Sequence, residues 1–596
     1  MCGIVGFQGD EADEQVARMN AAQAHRGPDG AGSHAVPELG FAMAMRRLAI
    51  IDIAGGRQPL VSADGRYALV FNGEIFNAPE LRRELEARGI RFASDHSDTE
   101  TLFRLLVADG PQAVSRLNGM FAFAFLDREA GTLALGRDRF GIKPLHYAEC
   151  AGGFAFASEI KSLLALNALD AAPDPAAAAH FLTLHYVPGE TTAFRSIRRV
   201  PPGTVLERDL RSGATRLTRF WRLSYAPDHR RSRAEWREAI RETLRGAVRR
   251  WAWADVPVAV SLSGGLDSSA VAAFAALEGI PVSAVSLGFD GPDEAPWNEL
   301  PLAREVAARW NIPHEEIVLR PEALIERLPA MVAALDEPYA GGLPSWFVFE
   351  AMARRVKVGL TGVGGDEMFG NYGKWLGLER RWFGRFGRRP AGAVSRELFA
   401  ERLVGRYYYA DAAAKAALLV DPPPVAAATE TLLFERFEAA VRAGQGLRDA
   451  WAITDIETQL ADEFLMMTDR FSMAHGLEAR TPFLDNEFVD LVRTIPETVR
   501  TAPGDLKGLL REAVAPLLPA ALLNAPKRGF VLPLANWLRG QLRGLVEERL
   551  AEPALRRQRI FRPEAVAAIT AAHFAGENRT AQLWPLLMYQ LWIDSR

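Results

Sequence analysis

A cysteine at position 2 is the first residue in the chain whose position suggests chemistry. Removal of the initiator methionine would leave a thiol and a free α-amine on the same residue. With an ordinary pKa of about 7.7–8.0, that amine could act as the base for its own thiol. A lone cysteine is usually just a small buried apolar side chain. Nucleophilic catalysis at Cys2 is therefore a hypothesis that depends on the residues accompanying it.

Several short motifs accompany Cys2 in one order along the first hundred residues. They are MCGIVGF (1–7), HRGPDG (25–30), RLAIID (47–52), NGEIFN (72–77) and SDTE (97–100). This set resembles the class II glutamine amidotransferases, which are N-terminal-nucleophile hydrolases that release ammonia from glutamine. The resemblance implies that Cys2 is the nucleophile and that Asn72 and the Gly73 N–H form the oxyanion hole, where two donors are needed. It also implies three substrate-holding groups: Arg47 for the glutamine α-carboxylate, and Glu74 and Asp98 for its amine.

A second chemical signal is the run SGGLDSS at 263–269, between an apolar strand pattern and a helical one. Glycines allow close approach of a ligand to the backbone, and a helix N-terminus attracts anions, so a phosphate is expected there. The run fits neither the Walker A nor the dinucleotide-binding pattern. It resembles the pyrophosphate loop of ATP pyrophosphatases, which adenylate a carboxylate. By itself, a glycine-rich turn of this kind is weak evidence.

A second acidic motif, TGVGGDEMFG (361–370), follows another predicted parallel strand. Ligands of open α/β sheets collect at the carboxyl ends of such strands, so Asp267 and Asp366 should both face the phosphates. Carboxylates suit that place only through Mg²⁺, and we therefore expect both to be metal ligands. The alternative for Asp366 and Glu367 is helix capping after the glycine pair.

The surrounding patterns predict two different layered units. Short apolar strands with few helices up to about residue 220 predict an α+β domain over 1–221, and the amidotransferase resemblance makes it a four-layer sandwich of the N-terminal-nucleophile hydrolase type. The polar stretch 222–234 is interpreted as a linker. Alternating strands and helices then predict a domain over 235–596, with a doubly wound parallel sheet of the ATP-pyrophosphatase type and extra helices toward the C-terminus.

Taken together, the chain resembles the glutamine-hydrolysing asparagine synthetases over nearly its whole length. Further matching motifs include SEIKSL (158–163), DEPYAGGLPS (336–345), MTDRFSMAHGLEARTPFLD (467–485) and PKRGF (526–530). The resemblance implies that glutamine is hydrolysed at Cys2, that ammonia travels inside the protein, and that ATP converts a carboxylate, L-aspartate in this family, to an acyl-adenylate. Lys507 would neutralise negative charge on the phosphates or the adenylate. The implied ATP-binding residues are Ser263, Gly264, Gly265, Asp267, Ser268, Leu287 and Gly362.

One departure bears on the acceptor. Asparagine-forming members carry an acidic residue between the glycines of the second motif, and here that residue is Val363. The acceptor could then be another carboxylate, such as a sugar acid or a peptide, or the base could be displaced to Glu367, Asp462 or Asp469. A stand-alone glutaminase with a decayed second half is disfavoured, because SGGLDSS and GGDE are intact. The arginine- and aromatic-rich segment RRWFGRFGRRP (380–390) is best interpreted as a solvated insertion.

Composition bounds the remaining possibilities. Lys+Arg 70 against Asp+Glu 74 gives a net charge of −4, which provides no field for nucleic acid or an anionic membrane. With only two cysteines, no secretory signal and no spanning apolar run, we expect a cytoplasmic protein. The expected partners are small molecules: L-glutamine, ATP and a carboxylic acid. The family resemblance also suggests a homodimer.

Overall fold

The computed structural model describes residues 2–150, 153–167, 169–289, 298–374, 394–404, 407–424, 428–502, 504–525 and 532–596. Two sequence features singled out above, the segment 380–390 and the motif 526–530, lie outside the described residues. No described helix is long and apolar enough to cross a membrane.

Two antiparallel sheets of six strands each form the first part of the chain. Apolar runs such as that of residues 119–127 are buried along almost their full length, as expected for strands covered on both faces. The first sheet has the order β10-β8-β9-β1-β3-β2 and the second the order β12-β11-β7-β6-β5-β4. Their strands are β1 Cys2–Gln8, β2 Gly30–Val36, β3 Phe41–Arg47, β4 Leu60–Val61, β5 Tyr67–Ile75, β6 Gly119–Asp127, β7 Thr132–Arg137, β8 His146–Cys150, β9 Gly153–Ala157, β10 Ile197–Arg199, β11 Thr204–Asp209 and β12 Thr215–Arg219.

The two sheets face each other across an apolar core, and helices cover their outer faces. Ile4 and Met43 of the first sheet share this core with Val70 and Leu135 of the second. A separate cluster packs the opposite face of the second sheet against helices Ala78–Ala87 and Asp98–Asp109. The remaining helices of this part are Ala12–Ala22, Ile160–Leu164 and Pro175–Leu184. This is the predicted four-layer α+β sandwich.

The second part is built on a parallel sheet of five strands in the order β15-β14-β13-β16-β17. The strands are β13 Val258–Ser261, β14 Val282–Phe289, β15 His314–Leu319, β16 Val358–Leu360 and β17 Glu478–Arg480. The order reverses between β13 and β16, so a crevice opens at their carboxyl ends. The SGGLDSS run follows β13 and the TGVGGDE run follows β16. The predicted doubly wound sheet is confirmed.

Helices surround this sheet and continue to the C-terminus. The first, Arg233–Trp251, begins inside the stretch predicted as a linker. Ser232 and Glu235 form a capping box at its N-terminus. The others are Leu266–Leu277, Leu300–Arg309, Pro321–Leu335, Ser345–Ala353, Gly365–Phe369, Arg396–Phe399, Ala412–Leu418, Thr429–Arg442, Leu447–Asp455, Met466–Ala474, Asn486–Val492, Glu497–Arg500, Gly508–Val514, Ala520–Asn524, Leu534–Arg539, Arg543–Arg549, Glu552–Gln558, Pro563–Phe574 and Thr580–Asp594.

One helical stretch connects the two parts of the molecule. Leu447–Asp455 passes directly into a π-helical segment, Ile456–Leu465, and then into Met466–Ala474. Segments of π-helix are rare and are frequently found at functional sites. This stretch carries Phe464, Met467 and Thr468 to the crevice of the parallel sheet and Asp469 to the first part of the chain.

Candidate active sites

Cys2 opens strand β1 and pairs in register with Arg47 of β3. Its side chain is buried, and its backbone N–H donates to Oδ1 of Asn72 over 3.0 Å. The carbonyl of Cys2 accepts a hydrogen bond from Nε of Arg26 at 3.1 Å. Burial raises the pKa of the Cys2 thiol above its ordinary value, although the nearby Arg47 charge acts in the opposite direction. The thiol therefore needs a base before it can act as a nucleophile.

Asn72 and Gly73, the predicted oxyanion donors, lie in the middle of β5 beside Cys2. Because Oδ1 of the fully buried Asn72 accepts from Cys2, its amide Nδ2 is turned away and has no hydrogen-bond partner among the described residues. A Cβ added at Gly73 would lie 2.0 Å from the carbonyl oxygen of Met120, so only glycine fits there. An unsatisfied buried N–H next to a thiol is suited to a developing oxyanion.

Glu74 and Asp98 meet on the same side of β5. Both are buried, and Asp98 accepts from the N–H groups of Ile75 at 3.0 Å and Thr99 at 2.6 Å. Burial and the charges of Asp98 and Glu478 raise the pKa of Glu74 well above its ordinary value. Two carboxyl groups held this close would bind an ammonium group in place of a shared proton.

Arg47, the register partner of Cys2, is engaged with backbone. Its NH1 and NH2 groups donate to the carbonyls of Ile53 at 2.8 Å and Asp52 at 2.9 Å. These bonds hold the guanidinium in a fixed orientation and use two of its five N–H donors. The predicted contact with a glutamine α-carboxylate therefore stays a prediction for the remaining donors.

The SGGLDSS run forms a tight loop between β13 and the helix Leu266–Leu277. Ser263 Oγ lies 2.9 Å from Ser268 Oγ and accepts from the Gly265 N–H at 3.2 Å. Gly264 has a φ of +83°, and a Cβ there would lie 2.7 Å from the carbonyl oxygen of Glu299. The loop therefore depends on glycine to bring its backbone and hydroxyl groups to the start of the helix.

The loop after β16 packs directly against the first loop. A Cβ at Gly362 would lie 2.7 Å from the backbone nitrogen of Ser268, and one at Gly365 would lie 2.5 Å from Cγ of Asp267. This close approach brings Asp267 and Asp366 to one ammonium group, that of Lys507, which contacts Asp267 and lies 2.6 Å from Asp366. The structure thus assembles three residues that the sequence predicted separately.

Lys507 is buried between these two carboxylates. Burial alone would lower its pKa, but the charges of Asp267 and Asp366 raise it above the ordinary value. The ammonium therefore stays charged. Mg²⁺ is commonly bound by one or two carboxylates together with substrate phosphates. The two aspartates fit that donor set, because their facing oxygens already hold a cation between them.

A cavity of about 610 Å³ opens between the two loops. Its lining includes Leu287 of β14, Leu302 and Leu522, apolar side chains of the kind that a nucleobase requires. Gly362 and Lys507 also line it. The predicted nucleotide residues that line it are Ser263, Gly264, Gly265, Asp267, Ser268, Leu287 and Gly362.

The same cavity is also lined by Val363, Glu367, Tyr372, Phe464 and Met467. Here Tyr372 donates its hydroxyl to Oε1 of Glu367 over 3.1 Å. Burial and the neighbouring charge of Asp366 raise the pKa of Glu367 to about 7. Glu367 is therefore the one acidic side chain among these five residues, and it titrates near neutral pH.

Of the three acids considered as substitutes for an acid at position 363, only Glu367 lines the cavity. Asp462 instead accepts from the N–H of Gly189 at 2.6 Å in the first part of the chain. Asp469 receives two hydrogen bonds from Arg26, at 2.7 and 3.1 Å. Asp462 and Asp469 thus stabilise the contact between the two parts.

Two buried arginines that the sequence analysis did not single out link the first site to the second part of the chain. Arg26 reaches from the Cys2 carbonyl to Asp469, and Arg480 of β17 lies with NH2 3.6 Å from Oε1 of Glu74. Both are fully buried. Arg26 lies inside the motif HRGPDG and Arg480 inside LEARTPFLD, and these motifs were the sequence signal that could have identified the two arginines.

Comparison with known proteins identifies both parts of the chain. The family described as "Glutamine amidotransferase domain" matches residues 1–221, and the family described as "Asparagine synthase" matches residues 239–594. Asparagine synthetase [glutamine-hydrolyzing] 1 of Bacillus subtilis is 30% identical over 99% of this chain and 96% of that protein. Asparagine synthetase [glutamine-hydrolyzing] 3 of the same organism is 30% identical over 88% of this chain and 86% of its own length.

A fungal relative has a different name. Amidase chry2 of Gibberella zeae is 28% identical over 92% of this chain and 91% of that protein. The bacterial relatives are both named as glutamine-hydrolysing asparagine synthetases, whereas the name of the fungal relative states no acceptor. The chain belongs to the glutamine-hydrolysing asparagine synthetase family and is a carbon–nitrogen ligase.

Proposed function

We propose that the protein activates a carboxylic acid with ATP and amidates it with ammonia from glutamine, releasing AMP and pyrophosphate. The observation that carries this proposal is the pair of assembled sites: Cys2 against Asn72, and Lys507 between Asp267 and Asp366 in the cavity. The first site would supply ammonia, and the second would adenylate the acid that the ammonia then attacks.

At the first site, removal of Met1 would turn the Cys2 backbone nitrogen into an α-amine that can take the thiol proton. The thiolate attacks the glutamine side-chain carbonyl, and the oxyanion is received by Asn72 Nδ2 and the Gly73 N–H. Collapse releases ammonia and leaves a thioester on Cys2, which water hydrolyses to glutamate. Glu74 and Asp98 hold the α-ammonium, and the remaining donors of Arg47 hold the α-carboxylate.

At the second site, Ser263, Gly264, Gly265 and Ser268 would hold the β- and γ-phosphates, and Leu287 and Gly362 would contact the nucleoside. Asp267 and Asp366 would hold Mg²⁺, which when bound offsets phosphate charge. Lys507 would stabilise negative charge as the acceptor carboxylate attacks the α-phosphorus and pyrophosphate leaves. Ammonia then attacks the acyl carbon and AMP departs.

We further propose a division of the chain into a glutaminase domain, 1–221, a linker, 222–234, and a synthetase domain, 235–596. Ammonia would pass between them inside the protein. A sheltered path keeps ammonia unprotonated and keeps water from the adenylate. A homodimer is the assembly we expect.

L-aspartate is the first candidate acceptor, because it is the acid that the family resemblance implies. A second candidate is favoured by the charges in the cavity. Among the described lining residues, both basic side chains already hold an acid, Lys507 as above and Arg511 through Asp505 at 2.9 Å. A second carboxylate, which L-aspartate carries, would find no unengaged cation there. An acid whose other carboxylate is capped, as in a peptide, or a sugar acid, fits these residues better.

Pyrophosphate release with ammonia as nitrogen donor separates the two candidates. The assay compares L-aspartate with its α-amide, L-isoasparagine, which keeps the β-carboxylate and the amine, and with a uronic acid. Faster turnover of aspartate supports the first candidate. Pyrophosphate release with the amide or the uronic acid, and not with aspartate, supports the second candidate. If none of these acids gives pyrophosphate release, the proposed adenylation of such an acid is contradicted.

The division of labour is tested with Cys2→Ala. We expect this variant to lose glutamine-dependent product formation and to keep ammonia-dependent formation within about twofold, because the second site is untouched. Isotopic counting of amide product with each donor measures both. Equal loss with both donors would contradict two separable sites.

A further inference from the structure

Arg480, at the end of β17, lies between the two candidate sites and is fully buried. Its NH1 donates to the carbonyls of Trp251 at 2.8 Å and Trp253 at 2.6 Å, and its Nε donates to Glu478 at 2.5 Å. The remaining group, NH2, makes no hydrogen bond among the described residues and stands 3.6 Å from Oε1 of Glu74. A buried guanidinium thus faces the glutamine side with one nitrogen unsatisfied.

Glu74 presents the matching half of this contact. Its Oε2 accepts from no N–H group of the described residues. Asp98 shares a hydrogen bond with Glu74, and the other groups that face it include Glu478, Arg480 and the Cys2 thiol. Burial and the two neighbouring acids raise the pKa of Glu74, which favours a proton on it when no ligand is bound. An ammonium placed between Glu74 and Asp98 would displace that proton and leave Glu74 ionised.

The backbone of Arg480 contacts the other site. Its carbonyl accepts from the N–H of Thr361 at 2.8 Å and from the Thr361 hydroxyl at 3.3 Å. The next residue, Gly362, packs so closely on Ser268 and Asp267 that a methyl group would not fit. Thr361 and Gly362 themselves line the ATP cavity. A small displacement of Arg480 would therefore be passed to the phosphate-binding loop.

We infer that Arg480 is a positioning residue that couples occupancy of the glutamine site to the geometry of the ATP loop. The inference rests on the proposed function, since it takes Glu74 and Asp98 as the amine site and the Asp267 loop as the ATP site. When glutamine binds, ionised Glu74 draws the Arg480 NH2 group from its present 3.6 Å to hydrogen-bonding distance. Thr361 follows through its hydrogen bonds, and the ATP loop closes on its ligand.

Binding measurements test the coupling directly. In the Cys2→Ala protein, which holds glutamine without cleaving it, calorimetry gives the glutamine Kd with and without saturating α,β-methylene-ATP and Mg²⁺. We expect the analogue to tighten glutamine binding at least about fivefold, the lower end of typical coupling between sites, and glutamine to tighten the analogue by the same factor. Adding Arg480→Gln should bring both factors to about one while each ligand still binds alone.

A matched control is Arg500→Lys in the same background, because Arg500 is equally buried, pairs with Asp449 and lines neither site. This variant should keep the full mutual tightening of glutamine and the ATP analogue. If Arg480→Gln does not fold, Glu478→Gln provides the test. This variant leaves Arg480 in place but removes the acid that competes with Glu74 for its guanidinium. Because Arg480 then pairs with Glu74 before glutamine binds, the mutual tightening of the two ligands should fall.

The outcomes distinguish the two levels of the hypothesis. If either ligand fails to bind alone to the Cys2→Ala protein, the proposed function is wrong and the coupling falls with it. If both bind but independently, or if Arg480→Gln and Glu478→Gln leave the factor unchanged, only the coupling role of Arg480 is refuted.

Discussion

Substitution of Gly362 by alanine is expected to damage the ATP site selectively. The added methyl group would lie 2.7 Å from the backbone nitrogen of Ser268 and 2.9 Å from Cβ of Asp267. Ordinary van der Waals contact begins near 3.4 Å, so the two loops must separate by about 0.7 Å at a backbone position that cannot swing aside. Overpacking of this kind costs about 1–3 kcal/mol.

That cost falls on the ATP-bound state, because the separated loops carry Asp267 and Asp366. A loss of 1–3 kcal/mol corresponds to a fall of about 5- to 150-fold in kcat/KM for ATP. The assay is ammonia-dependent pyrophosphate release at varied ATP, with glutaminase activity measured in parallel. Glutamine hydrolysis without ATP should change less than about twofold, since Gly362 lies outside the glutamine site.

Gly359→Ala is the matched control, three residues earlier in strand β16. Its methyl group would meet Cε of Met352 at 2.6 Å, and the end of a methionine side chain can move. We expect kcat/KM for ATP to stay within about twofold. An unchanged kcat/KM in Gly362→Ala, or an equal loss in Gly359→Ala, would refute the conclusion that contact between the two loops builds the ATP site.

Three further predictions concern the chemistry of the two sites. Lys507→Met leaves Asp267 and Asp366 without their shared cation, so pyrophosphate release should fall at least about 100-fold while glutamine hydrolysis persists; retention of release would exclude Lys507 from the reaction. Asn72→Ala removes the unsatisfied amide beside Cys2 and should lower kcat for glutamine about 10²- to 10³-fold with little change in KM, and a loss confined to KM would point to substrate binding instead. The pKa of Glu367 is raised to about 7, and only its ionised form can accept a proton or hold an amine. The value of kcat/KM for the acceptor should therefore rise as the pH increases through 7, measured at a fixed concentration of uncharged ammonia. Glu367→Gln should abolish that inflection, and an unchanged profile would assign it to another group.

Much of the scaffold was predictable because its signals are local. The apolar runs at 119–127 and 282–289 form buried strands, and the glycine-rich runs after β13 and β16 form the adjoining loops at the carboxyl edge of the sheet. Helix ends are less predictable, as at Leu266–Leu277, where the helix begins inside the SGGLDSS run and not after it. Capping and packing, which decide such ends, are only partly encoded in periodicity.

The contacts between the two parts were not predictable in the same way. Arg26 and Asp469 are 443 residues apart, and nothing in the local spacing of either identifies the other. Lys507 adopts a φ of 61°, unusual for a side-chain-bearing residue, and reaches Asp267 only because that backbone is held there. Such pairings follow from tertiary packing, which one sequence does not reveal.

The bond from Arg26 to Asp469 has a consequence for synthesis of the chain. Strand β1 leaves the ribosome first, yet the guanidinium that holds its Cys2 carbonyl is completed by an acid that emerges only after more than four hundred further residues. Within the described residues of the first part of the chain, the same guanidinium has only Glu159 as an acidic partner, at 2.8 Å. The nascent N-terminal unit can therefore pair Arg26 with its own Glu159, but the hydrogen bonds around the Cys2 carbonyl are completed only when the second unit folds against it.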